Sequence, residues 1–137
     1  MILVDTSVWI EYDRATGSPV DRRLTDLIAT GGPVAVTEPV AMEVLAGART
    51  DALEARLRRL LDRFDLLAFD PVADFSAAAR IYRRCRAVGI TPRGMIDCMI
   101  AAVAWRYGAT LLAHDADLAR VAGVMSLGLD APSLRAS

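Results

Sequence analysis

Three carboxylates stand alone in segments that otherwise read as protein interior, and a fourth acidic spot follows another apolar run. Asp5 ends the apolar run Met1–Val4, Glu43 is the only charge between Pro39 and Ala48, and Asp97 is the only charge between Gly94 and Trp105. Asp115 and Asp117 follow the apolar run Leu111–Ala113 through His114. A carboxylate that leaves water loses much of its hydration energy, so Asp and Glu are rarely fully buried without a partner. Arg side chains elsewhere could pair with these acids, but none lies within the runs themselves. The alternative is convergence on one site around a shared divalent cation.

Carboxylates held together repel, and the usual outcome is a raised pKa for one of them. A hard cation such as Mg²⁺ or Mn²⁺ removes that penalty, takes oxygen ligands, keeps several waters and commonly works on phosphates. The chemistry that follows is metal-assisted phosphodiester hydrolysis. Each acid also admits a plainer role. Asp5 could serve only as a helix N-cap, although Thr6 and Ser7 offer the same chemistry. Asp97 could favour a helix N-terminus through the dipole. Glu43 could reach solvent from the edge of an apolar face, and Asp115 and Asp117 occupy a turn, where Asp is ordinary.

Other reactive residues carry less. His114 is the only histidine, without the Cys or further His partners of a zinc site, and reads as a loop residue near the acids. Cys98 beside Asp97 reads as a small buried hydrophobe. There is no GxxxxGK[ST], GxGxxG or GxSxG motif, so nucleotide binding of those kinds is unsupported.

The elements that would position these groups alternate strand and helix. Short apolar strands are expected at Ile2–Val4, Val34–Val36, Leu66–Phe69 and Thr110–Ala113, with a fifth at Met125–Leu129. Helices are expected at 8–13, at 20–29, across Glu43 with Pro39 in the first turn, and at 51–64, 71–88, 93–107 and 118–124. The helix at 93–107 is nearly all apolar, hence buried, with Gly108 where a terminating residue belongs. Such alternation implies a parallel sheet covered on both faces. In open α/β sheets functional groups gather beyond the carboxyl ends of the strands, where strand order reverses. Asp5 and Asp115 directly follow the first and fourth strands, so they face each other if those strands are neighbours. Asp97 and Glu43 lie on helices that can point into the same crevice.

Bulk properties agree with a globular chain. At 137 residues, 54% hydrophobic and 24% charged, it is long enough to bury a core as one domain. No apolar run reaches the roughly 18 residues of a membrane span, and no signal peptide is evident, so a cytoplasmic location with no membrane partner is expected. Two cysteines are too few for a secreted disulfide framework. All 16 basic residues are Arg; setting the five acids aside leaves 12 Asp and Glu against them. Arginines group at 49–63 and 80–93, a modest phosphate-binding signal that solvated helix faces explain equally well.

The segments VDTSVWIEY, EPVAMEVLAGA and RGMIDCMIAAVAWRYGATLLAHDADL, in this order and spacing, resemble a PIN-domain ribonuclease, specifically a VapC-type toxin of a type II toxin–antitoxin system. The resemblance spans roughly residues 1–122. It implies a single PIN domain over residues 1–137, a three-layer α/β/α fold with a central parallel sheet of four to five strands in the order 3-2-1-4-5. It also implies a Mg²⁺ site, with Mn²⁺ as a substitute. Asp5 and Asp97 match the family's metal ligands, Glu43 and Asp115 its other catalytic acids, Asp117 a variable fifth acid, and Arg93 a basic position that could meet RNA or an antitoxin acid. The implied activity is endoribonucleolytic cleavage of tRNA or rRNA, which blocks translation. The implied assembly is a homodimer, or a heterotetramer or larger complex with a VapB-type antitoxin lying across the active-site groove.

His114 and Leu118 depart from the residues common in the family around the last acids, which leaves the division of labour between Asp115 and Asp117 open. The alternative function is a PIN-fold RNA-processing or structure-specific nuclease outside a toxin–antitoxin pair, though such enzymes usually carry extra domains. A phosphate-accepting receiver domain would need a Lys near its acids, and the chain has none.

Overall fold

The computed structural model describes residues 1–135. Strand β1 (Ile2–Val4) leads into helix α1 (Thr6–Asp13) and α2 (Pro19–Ala29), then β2 (Val34–Val36), α3 (Glu38–Ala46), α4 (Asp51–Leu61) and β3 (Asp65–Leu66). Helices α5 (Ala73–Ala87) and α6 (Met95–Tyr107), strand β4 (Thr110–Leu112) and α7 (Ala116–Val124) follow. The four strands form a parallel sheet in the order β3-β2-β1-β4. Strands one and four are therefore neighbours, in the register Ile2↔Thr110, Leu3↔Leu111 and Val4↔Leu112. Their carboxyl ends, and the acids that follow them, lie side by side.

Alternation of sequence is replaced by continuous apolarity in the inner strands because both faces are covered: Leu3, Val4, Ala35, Leu111 and Leu112 are fully buried. One core surrounds the sheet and takes Val8 and Trp9 from α1, Leu24 from α2, Val40 from α3, and Ile100 and Val103 from α6. A second lies between α5, α6 and α7, built from Ala78, Ile81, Cys85, Cys98, Ala101 and Val121. Helix α6 thus feeds two cores from opposite sides, which is why its residues 98 and 100–104 are all buried and apolar. Its lone acid sits in the first turn, and Gly108, at φ 65°, ends the helix as its position suggested. A buried Asp74 receives two donors from Arg106, which also reaches the Ala68 carbonyl, and so ties the start of α5 to the end of α6.

Two strand expectations need correction. The third strand covers Asp65–Leu66 rather than Leu66–Phe69, because its partner β2 ends at Val36, where the chain turns to start α3. Leu67 N–H still reaches the Val36 carbonyl at 2.7 Å, but Phe69 N–H donates to the Glu38 carboxylate instead. The expected fifth strand shrinks to one parallel bridge, Leu111↔Leu129. Ser126 turns with φ 54°, and Gly128 and Asp130 bond the two sides of Leu111. A turn from Asp130 to Ser133 then breaks the extended run before Ser133 and Leu134 bond back to Ala113. The order 3-2-1-4 stands; position five is a contact rather than a strand. No helix among the described residues is long and apolar enough to cross a membrane.

Candidate active site

Beyond the carboxyl ends of β1 and β4 lies a cleft of about 680 Å³ lined by Asp5, Glu43, Asp97 and Asp115, with Arg93 and His114 also on its wall. Each acid is fixed by local structure. Asp5 is the N-cap of α1: its Oδ2 accepts from Ser7 N–H at 3.1 Å and from the Ser7 hydroxyl at 2.6 Å. Asp115 is the N-cap of α7 and accepts from Asp117 N–H at 3.0 Å. The plain capping role is therefore real for both, and it aims the carboxylates rather than replacing their place in the cleft. Glu43, on α3, accepts from the Thr6 hydroxyl at 2.8 Å. Asp97 is delivered by the first turn of α6, just after Gly94.

Ser7 couples the two strand ends. Its hydroxyl donates to Asp5 and accepts the His114 N–H at 2.8 Å, while Asp5 N–H donates to the Leu112 carbonyl at 2.9 Å. Thr6 and Ser7 had read only as alternative caps. The signal was present, since two hydroxyl residues directly follow a strand-ending Asp, but their second partners come from residues 37 and 107 positions away.

The electrostatics follow from burial and crowding. Asp5 is buried, and desolvation pushes its pKa up to about 6; the two Ser7 hydrogen bonds oppose this, while Glu43 and Asp115 reinforce it. Burial raises Asp97 to about 7, and Asp5, Asp115 and Glu43 all add repulsion that Arg93 only partly offsets. Asp97 thus feels the other three acids at once.

Arg93 is an exposed side chain that bonds both oxygens of Asp115, at 3.1 and 3.2 Å, and pairs with Asp117. Asp117 is also held by Arg120 at 2.7 Å and does not line the cleft, so the structure separates it from the other four. Asp5 and Asp97 have no ion-pair partner among the described residues. His114 is half-exposed, with Nε2 3.9 Å from Glu11, and has no carboxylate of the cleft as a partner.

Among the described residues, no three Asp, Glu, His or Cys side chains are close enough together to chelate an ion in this arrangement. Some divalent cations need fewer protein ligands: Mg²⁺ commonly takes one or two carboxylates and fills its shell with water and substrate phosphate. Asp5 and Asp97 fit this role: both are oxygen donors, unpaired with Arg, with pKa values raised first by burial and then by neighbouring acids whose repulsion a cation would relieve.

The PIN domain matches residues 2–124. The chain is 44% identical over 128 residues to the ribonuclease VapC11 of Mycobacterium tuberculosis, covering 93% of this chain and 96% of that protein. Its fold is similar to that of VapBC2 from Rickettsia felis bound to a promoter DNA fragment, with a TM-score of 0.74, 18% identity, and 95% and 98% of the two chains covered. It also resembles VapC20 of Mycobacterium tuberculosis, a toxin that cleaves the sarcin-ricin loop, with a TM-score of 0.65, 20% identity, and 86% and 92% covered.

Proposed function

The chain belongs to the PIN-domain family and, within it, to the VapC ribonucleases, and from that premise we propose that it is the toxin of a type II toxin–antitoxin pair, a Mg²⁺-dependent endoribonuclease that blocks translation by cutting tRNA or rRNA. The observation that carries this reading is the convergence of Asp5, Glu43, Asp97 and Asp115 on one open cleft, where burial and then the other three acids raise the pKa of Asp97. In a protein without a phosphodiester to cut, that concentration of acid, with Asp5 and Asp97 lacking an ion-pair partner among the described residues, has only a cost.

Asp5 and Asp97 would hold the ion, Mg²⁺ or Mn²⁺ in its place. When bound it supplies charge neutralisation at a phosphoryl oxygen and acidifies a water for in-line attack. Ser7 aims Asp5 and works against the protonation that burial favours, since two donors to the same oxygen favour the charged form. Thr6 holds Glu43 at the cleft edge, where a carboxylate can accept a proton from water. Asp115, through Arg93, presents a guanidinium at the mouth of the cleft. That group is suited to a bidentate contact with RNA phosphate or with an acidic residue of a VapB-type antitoxin.

The test is direct. Purified protein incubated with total tRNA and rRNA should cut only when Mg²⁺ or Mn²⁺ is present, and EDTA should stop it. Asp5→Asn or Asp97→Asn should abolish both cleavage and the growth arrest caused by expression. Wild-type cutting by either variant would overturn the site. Harmless expression of wild type, with no RNA fragment, would overturn the toxin. The same reading expects a cytoplasmic homodimer, and a heterotetramer or larger assembly with an antitoxin encoded beside it, which co-expression and light scattering would measure.

A further inference from the structure

Helix α4 carries arginines on a face where, among the described residues, only Arg56 has an acidic partner. Its apolar side, Leu57 and Leu61, enters the sheet core, and Arg56 and Arg59 share an outward stripe that Arg63 continues just past the helix end. With Tyr12, Asp13 and Asp21 these three arginines line an open cleft of about 590 Å³ between α4, the end of α1, and α2. Its two acids are already engaged. Asp13 pairs with Arg56 at 2.9 Å, and Asp21 is buried, accepting the Gly17 N–H and the Thr25 hydroxyl. Among the described residues neither Arg59 nor Arg63 has an acidic partner; Arg63 only rests over the Phe64 ring. On the same helix Arg58 is paired with Glu54, so the free charge is confined to the cleft side.

This cleft is connected to the acidic one. Ile10 and Glu43 line both the acidic cleft and a groove between α1, α3 and α4, and Asp13 lines both that groove and the arginine cleft. Arg14 and Arg49 stand along the intervening groove, also without ion-pair partners among the described residues. The path follows α1, whose eight residues rise about 12 Å, roughly the span of three or four stacked nucleotides.

We propose that the cleft formed by Arg56, Arg59 and Arg63 is a phosphate anchor for the RNA strand, reached from the acidic cleft along α1. The anchor rests on the ribonuclease reading and extends it to the substrate's footprint. An acidic protein segment could satisfy the same charges, but continuity with a site for phosphodiester cleavage favours nucleic acid. Arginines three and four positions apart on one face also offer a row of donors that a regularly charged backbone can use.

The experiment uses full-length protein carrying Asp97→Asn, so that RNA is not consumed. Fluorescence anisotropy would follow binding of an unpaired RNA of about twenty nucleotides and one of about five, across a range of salt. Adding Arg59→Gln and Arg63→Gln should weaken binding of the long RNA about tenfold, flatten its log–log salt slope by about 1.4 for two lost phosphates, and leave the short RNA unchanged. Lys at both positions should restore most of the affinity, since point charge is what the anchor supplies. Both sites are exposed, and an unchanged melting temperature would show the fold intact. Equal affinity of the Gln variant for long RNA overturns the anchor. So does unchanged RNA binding with weakened capture of a co-expressed antitoxin, which assigns the cleft to a protein. If the otherwise wild-type enzyme cuts no RNA but arginine-dependent binding holds, the anchor stands and the nuclease reading falls.

Discussion

The Ser7 hydroxyl donates to Asp5 Oδ2 at 2.6 Å. This bond joins the first residue of the cleft to the loop after β4, because the same hydroxyl receives the His114 amide. Ser7→Ala removes one charge-assisted donor and leaves the His114 N–H without its partner. The expected cost is about 1–2 kcal/mol of stability. The pKa of Asp5 should rise further, moving the acidic limb of the pH–rate profile upward. Thermal melts and a pH profile of RNA cleavage check both; unchanged values would mean that Ser7 does not support the site.

Metal-free protein should lose stability as pH rises from about 4 to about 7. Asp5 and Asp97 bind protons more tightly in the folded state, near 6 and 7, than an ordinary aspartate does at 3.8. Their contribution is complete while both states are protonated and is lost as pH passes through the folded values. The combined effect should be on the order of 2–3 kcal/mol, since the two sites are coupled. Added Mg²⁺ should raise the melting temperature more at about pH 7.5 than at about pH 5, as binding to the folded state alone requires. Melts in EDTA and in Mg²⁺ at both pH values provide the check.

Asp97→Asn should separate stability from activity. It removes a repelled, partly buried carboxyl, so the metal-free variant should melt above wild type at about pH 7.5 while RNA cleavage falls at least 100-fold, as when a group central to transition-state charge is lost. A variant that melts lower and still cuts would contradict the role given to Asp97.

Arg106→Ala provides a contrast outside the site. It strands the buried Asp74 carboxylate and leaves the Ala68 carbonyl with only the Tyr107 hydroxyl as donor. Leaving one member of a buried pair is costly, here about 2–3 kcal/mol because Arg106 itself is partly exposed. Cleavage below the melting temperature should be unchanged, which a denaturation curve and an activity assay on the same sample will test.

Asp5, Glu43 and Asp97 were legible in the sequence because each is a lone charge in an apolar frame, a local pattern. Helix α6 was legible for the same reason, its composition reporting burial on both sides. The adjacency of β1 and β4 was not in the periodicity; it came with the family resemblance, because strand order depends on long-range pairing that no short window carries. Asp117 was indistinguishable from Asp115 by spacing; Arg93 pairs with both, and it is the pairing with Arg120 and the lining of the cleft that separate them. The bridge at Leu129 read as a strand because apolar residues flank it, whereas the turns at Ser126 and Asp130–Ser133 decide its length.

Proton release on metal binding tests the central claim most directly. Calorimetric titration of Mn²⁺ into RNA-free protein at about pH 6.5, in two buffers of different ionisation enthalpy, reads both affinity and protons displaced. Wild type should bind and release a substantial fraction of a proton, and Asp97→Asn should bind at least tenfold more weakly with less release. Equal affinity in the two proteins, or binding with no protons released, would contradict a cation shared by Asp5 and Asp97.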